Sequence, residues 1–139
     1  MLTRALEISP ENEYARFFLG VTALLEKNPK QALSGLEPAT TVFGRTILAL
    51  AEHDLGHETE SLQALDELIA KGGQTSAYMV ASVYAWRGEQ DRAFEWLDRA
   101  YVQHDTQIAR LKTDPLVAKL RGDPRYAAML KKLNLPVSN

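Results

Sequence analysis

Between Ser76 and Tyr101 the apolar positions fall into two short periodic runs. Ala77, Val80, Ala81 and Tyr84 follow the i, i+3, i+4, i+7 spacing that gathers side chains on one face of an α-helix. Ala93, Leu97 and Ala100 repeat the pattern, and Phe94 and Tyr101 widen the stripe. Gly88 stands between the runs, where glycine can enter the left-handed conformation of a helix end without steric cost. The pattern predicts a tight antiparallel helix pair, which cannot bury both its faces alone. The same periodicity predicts helices near residues 2–8, 11–26, 29–37, 39–54, 58–70, 75–87 and 90–102, with a break at Lys71-Gly72-Gly73-Gln74.

Shifting this pair back along the chain finds it twice more. A small residue in each first helix lies twelve positions before a small residue in the second: Gly20 with Ala32, Ala49 with Ser61, Ala81 with Ala93. An aliphatic residue always precedes the first of these (Leu19, Leu48, Val80). Further columns read Leu33, Leu62, Phe94 and Leu36, Leu65, Leu97, and the turns fall at Lys27-Asn28, Gly56 and Gly88. Paired small residues let two helix backbones approach where they cross, so that flanking leucines interlock. Three such pairs at one offset are a repeat.

These columns resemble the tetratricopeptide repeat, a helix-turn-helix unit of about 34 residues. The stretch RALEISPEN at 4–12, with its proline, looks like the close of one such repeat. The resemblance implies an all-α fold, a right-handed superhelix of antiparallel helix pairs, with residues 1–103 as repeats. They comprise a half-repeat at 1–10 and helix pairs at 11–37, 38–71 and 74–103, and the opening half-repeat implies a fragment of a longer chain. The small-residue columns depart from the regular period, lying 29 and 32 residues apart. Pro38 accounts for the shorter step by ending the preceding helix at Glu37. One column departs more oddly: Glu52 stands where the other repeats have Ala23 and Tyr84.

Residues 104–139 break the pattern and read as capping helices. Asp114-Pro115 and Asp123-Pro124 each pair a good N-cap with a residue pre-shaped for the first helical position. Leu116, Leu120, Tyr126, Met129, Leu130 and Leu133 give these helices apolar faces suited to covering the end of a repeat array. The motifs YAWRGE at 84–89, AFEWL at 93–97, LKTDP at 111–115 and LRGDPRY at 120–126 resemble the C-terminal region of bacterial multidomain signalling and transcriptional regulators. That resemblance implies the regulatory part of a larger bacterial protein. It carries over no catalytic residue.

Composition narrows the function classes. The 139 residues carry a formal charge of -2, and no Lys/Arg block forms a footprint for nucleic acid. There are no cysteines, which excludes disulfides, Cys-ligated zinc and thiol catalysis. No stretch has the apolar length of a signal peptide or a membrane span. The expected location is cytoplasmic, or periplasmic where the parent chain carries a span.

The candidate binding surface is the concave face implied by the repeat resemblance, lined by the first helix of each pair. Its residues are Tyr14, Phe17, Val21, Phe43, Thr46, Leu50, His53, Thr75, Tyr78, Ser82 and Trp86. Taken singly, Phe17, Phe43 and Trp86 fit packing better than binding; taken together, the face suits a peptide or protein surface held by aromatic area and hydrogen bonds.

Catalytic chemistry finds no constellation. His53 and His57 have the spacing of a helical zinc pair, but Gly56 breaks the helix between them, and with His104 they read as solvated or capping groups. Glu58, Glu60, Asp66 and Glu67, and likewise Glu89, Asp91, Glu95 and Asp98, read as solvated helix faces. Gly72-Gly73 lacks the lysine of a phosphate loop, and Ser34, Ser61, Ser76 and Ser82 lack a nucleophile elbow. The expectation is a non-enzymatic interaction scaffold with no metal and no cofactor. The alternative is homo-oligomerisation as a dimer, through Leu2, Ala5, Leu6 and Ile8.

Overall fold

The computed structural model describes residues 13–34 and 41–135 and is all-helical among them, with no strand. The chain forms two compact units, residues 1–71 and 72–139. The expected half-repeat, with Leu2, Ala5, Leu6 and Ile8, lies outside the described residues, as do Glu37 and Pro38, but the helix expected over 29–37 ends earlier, at Leu33 with Ser34 as its C-cap.

In the first unit, α1 (Glu13–Leu25) and α2 (Pro29–Leu33) form one hairpin, and α3 (Val42–Asp54) and α4 (Glu58–Gly72) a second. Their starts follow local chemistry. The Asn28 side chain accepts from the Gln31 N–H ahead of Pro29, and Thr41 Oγ1 accepts from the Gly44 N–H at 3.0 Å. Gly20 marks the close approach of α1 to α3, since a Cβ added there would meet Ile47 side-chain atoms at 3.0–3.1 Å. Between α3 and α4 the small pair Ala49 and Ser61 is buried, and Ser61 Oγ donates to the Ala49 carbonyl at 2.8 Å. The predicted break at 71–74 begins later than expected, because α4 runs through Gly72.

In the second unit, α5 (Ala77–Arg87) and α6 (Gln90–Gln103) form the third hairpin, with Ala81 and Ala93 fully buried. Two 3₁₀ segments follow, Thr106–Arg110 and Pro115–Leu120, and then α7 (Pro124–Lys132). Asp105, Asp114 and Asp123 each accept a hydrogen bond from the backbone N–H two residues ahead, so both Asp-Pro steps start helical segments as their chemistry predicts. Arg125 reaches Asp91 at 3.0 Å and lies over the Phe94 ring at 4.5 Å; Lys132 reaches Asp98 at 3.8 Å and the Tyr101 ring at 5.0 Å. Both contacts advance by one heptad in the same direction, so α7 runs parallel to α6.

The three hairpin turns are the same turn. Lys27, Gly56 and Gly88 occupy one register and all take positive φ, at 61°, 81° and 86°. After each, the next N–H returns to the carbonyl five residues back: Asn28 to Ala23, His57 to Glu52, Glu89 to Tyr84, at 2.8–2.9 Å. Ala32, Ser61 and Ala93 then donate to Asn28, His57 and Glu89 as the second helix opens. A left-handed residue satisfies the last carbonyls of one helix and turns the chain into the next. The repeat seen in the side chains is therefore also a repeat of backbone hydrogen bonds.

Candidate functional site

An aromatic cluster sits at the start of α1 and α3 in the first unit. Ring centroids lie 4.9 Å apart for Tyr14 and Phe18, 5.5 Å for Tyr14 and Phe43, 5.2 Å for Phe17 and Phe43, and 5.6 Å for Phe17 and Phe18. The interplanar angles of 35–69° are the tilted and edge-on arrangements that ring quadrupoles favour. Phe17 is buried and anchors the group, Phe18 and Phe43 are half-buried, and Tyr14 is 46% exposed. Tyr14, Phe17 and Phe43 are among the groove residues expected from the sequence, and Phe18 is not. The signal was present, because Tyr14 and Phe18 are one helical turn apart.

The remaining residues of that reading in this unit are placed otherwise. Val21, Thr46 and Leu50 are buried, and Thr46 Oγ1 donates to the Val42 carbonyl at 2.8 Å. α1 contacts both α2 and α3, so a second stripe of its surface is covered besides the one facing its hairpin partner. His53 is partly exposed at the end of α3, with Nδ1 2.6 Å from Glu58 Oε1.

In the second unit the chain covers its own α5. Tyr78 is fully buried; its backbone N–H donates to Asp105 Oδ2 at 3.0 Å and its hydroxyl donates to Asp114 Oδ2 at 2.7 Å. Arg110 stands 3.6 Å from the same carboxylate oxygen. At the other end of α5, Lys119 Nζ donates to the Trp86 carbonyl at 2.7 Å, and Gln90 Nε2 donates to the Lys119 carbonyl at 3.1 Å. Ile108, Leu111, Leu116, Val117 and Leu120 are buried along the 3₁₀ segments. Ser82 is buried as well and donates to the Met79 carbonyl, Trp86 is half-buried, and Thr75 is exposed. The side of α5 that holds Tyr78 and Ser82 thus meets the tail of its own chain.

Burial, reinforced by the Asp114 carboxylate, pushes the Tyr78 phenol well above its ordinary range. The ring is a neutral donor to a buried carboxylate at physiological pH. That is a structural bond, not an acid–base pair.

The histidines separate as the intervening glycine implies. His53 pairs with Glu58, and His57 Nδ1 lies 3.3 Å from Glu52 Oε1. Each imidazole therefore meets a glutamate across the α3–α4 turn rather than the other imidazole. Among the described residues no helix is long and apolar enough to cross a membrane. Compared with known proteins, the chain matches no family model, no curated protein and no solved structure.

Proposed function

We propose that this chain is a non-enzymatic protein-interaction module of the tetratricopeptide-like kind, the regulatory part of a larger bacterial protein. Its partner is a peptide or a protein surface, and the contact centres on Tyr14, Phe18 and Phe43. The observation that carries this reading is the ring cluster, in which a half-exposed tyrosine rests on phenylalanines anchored by buried Phe17. Rigid aromatic side chains lose little conformational entropy on binding and present large apolar area with a polar tip, which is why they dominate binding hot spots. α5 is the less suitable surface, since its Tyr78 and Ser82 are committed to packing inside the second unit.

The test is selection of peptides from a random library on immobilised protein, followed by titration of the enriched sequences against Tyr14→Ser. Loss of affinity by about tenfold or more, the range expected for a central aromatic anchor, supports the reading. Peptides that bind Tyr14→Ser as well as wild type place the contact elsewhere, and a selection with no enrichment removes the peptide-binding role.

A further inference from the structure

The α3–α4 turn gathers a second group of side chains, independent of the aromatic cluster. We propose that Glu52, His57 and Glu60 form a binding site for a divalent transition-metal ion of the zinc class. One ligand atom from each residue lies within 4.8 Å of the others. Glu52 comes from the last turn of α3, His57 from the turn itself, and Glu60 from the first turn of α4. His57 and Glu60 are three apart and so stack on one side of the chain as it enters α4. The hydrogen bond from the His57 N–H to the Glu52 carbonyl, at 2.9 Å, ties the two strands of the turn together.

Glu52 is the more telling residue. Its register in the other two hairpins is filled by Ala23 and Tyr84, both buried. Here the same place holds a carboxylate whose side chain is only 13% exposed, with the His57 contact at 3.3 Å as its partner. Among the described residues the imidazole is thus the one hydrogen-bonding side chain against this carboxylate, and the geometry around it leaves room for a shared ion. Glu60 adds a second carboxylate, which among the described residues makes no hydrogen bond or ion pair of its own. Two carboxylates converging on one imidazole leave a net negative group whichever form the ring takes. A dication answers that imbalance.

The donor set selects the ion. One imidazole nitrogen and two carboxylate oxygens suit zinc and its neighbours, whereas magnesium and calcium prefer oxygen alone. Tetrahedral zinc, with bonds of about 2.0–2.2 Å, holds its ligand atoms roughly 3.3–3.5 Å apart. The exposed side chains of His57 and Glu60 have the freedom to close to that spacing, and water would complete the fourth position. His53 is not a ligand in this scheme, because Glu58 engages its Nδ1 at 2.6 Å.

Calorimetric titration of the chelator-treated chain with zinc chloride tests the site, with melting followed by circular dichroism. One zinc ion per chain and a raised melting temperature are expected in wild type. His57→Ala and Glu60→Gln should each weaken zinc binding by at least about tenfold and abolish the thermal shift. His53→Gln and His104→Gln should leave both unchanged. Glu60 is exposed, so its variant reads binding without disturbing the fold. The proposal falls if wild type takes up no zinc, if both ligand variants keep their affinity, or if His53→Gln abolishes binding. Magnesium or calcium chloride binding as tightly as zinc would overturn it too.

Discussion

The Tyr78 hydroxyl and Asp114 Oδ2 lie 2.7 Å apart, both buried and 36 residues distant in sequence. The same carboxylate caps the second 3₁₀ segment through the Leu116 N–H at 3.0 Å, so one side chain starts a helical segment and fastens it to α5. Removing the hydroxyl leaves a buried acceptor short of a donor. Tyr78→Phe should therefore cost about 1–3 kcal/mol at neutral pH, measured by urea denaturation.

That bond also has a pH signature. Burial and then the Asp114 carboxylate raise the phenol above its ordinary value of 10.0 in the folded chain, while the unfolded chain keeps the ordinary value. The stabilisation is fully present below about pH 10, and it is lost as pH rises further, because the unfolded chain then releases a proton that the folded chain retains. Wild type should lose stability above about pH 10 more steeply than Tyr78→Phe. Equal slopes would mean that Tyr78 ionises freely in the folded protein.

Asp105 serves two helix starts at once. Ser76, at the N-cap of α5, makes no side-chain capping bond. Asp105 Oδ2 takes the Tyr78 N–H in its place, while Oδ1 takes the Gln107 N–H, each at 3.0 Å. At about 1 kcal/mol per cap, Asp105→Ala should destabilise the chain by about 2 kcal/mol. A denaturation midpoint equal to wild type would show that water replaces the carboxylate at both ends.

The shared turn register predicts opposite outcomes at two positions. Lys27 holds φ at 61° where the other hairpins place glycine, and a side chain in that region costs about 1–2 kcal/mol. Lys27→Gly should recover part of this and raise the melting temperature. Gly88→Ala should lower it by introducing the same strain at φ 86°. Thermal melts that move both variants in one direction would refute the common turn.

Ala81 tests the helix crossing. It is fully buried on α5, and Ala93 is fully buried on α6. Ala81→Leu adds atoms where there is no room, at a cost of about 1–3 kcal/mol. An unchanged melting temperature would show that the small-residue columns do not mark the crossings.

The hairpins were legible in the sequence because their causes are local. The 3.6-residue period placed α1, α3, α5 and α6, and the twelve-residue offset of small residues found Ala49 and Ser61, joined by a hydrogen bond in the structure. Gly56 and Gly88 announced their turns, and the register carried the inference to Lys27, where composition alone gives no sign of a left-handed residue. Asp114 and Asp123 were recognisable as caps for the same reason: a short polar side chain followed by proline acts within its own turn.

The tertiary structure decided which surfaces remain open. Tyr78 and Ser82 fall off the hairpin stripe and read as groove residues, yet Tyr78 meets carboxylates 27 and 36 residues further on. No local period encodes a partner that returns from so far along the chain. Glu52 is a different case: its neighbours His57 and Glu60 are close in sequence, and only the geometry of the turn shows that the three side chains converge. Periodicity and glycine determine where helices begin, end and turn, because those depend on neighbouring backbone sterics and hydrogen bonds. Burial is settled by long-range packing, which only the folded chain assembles.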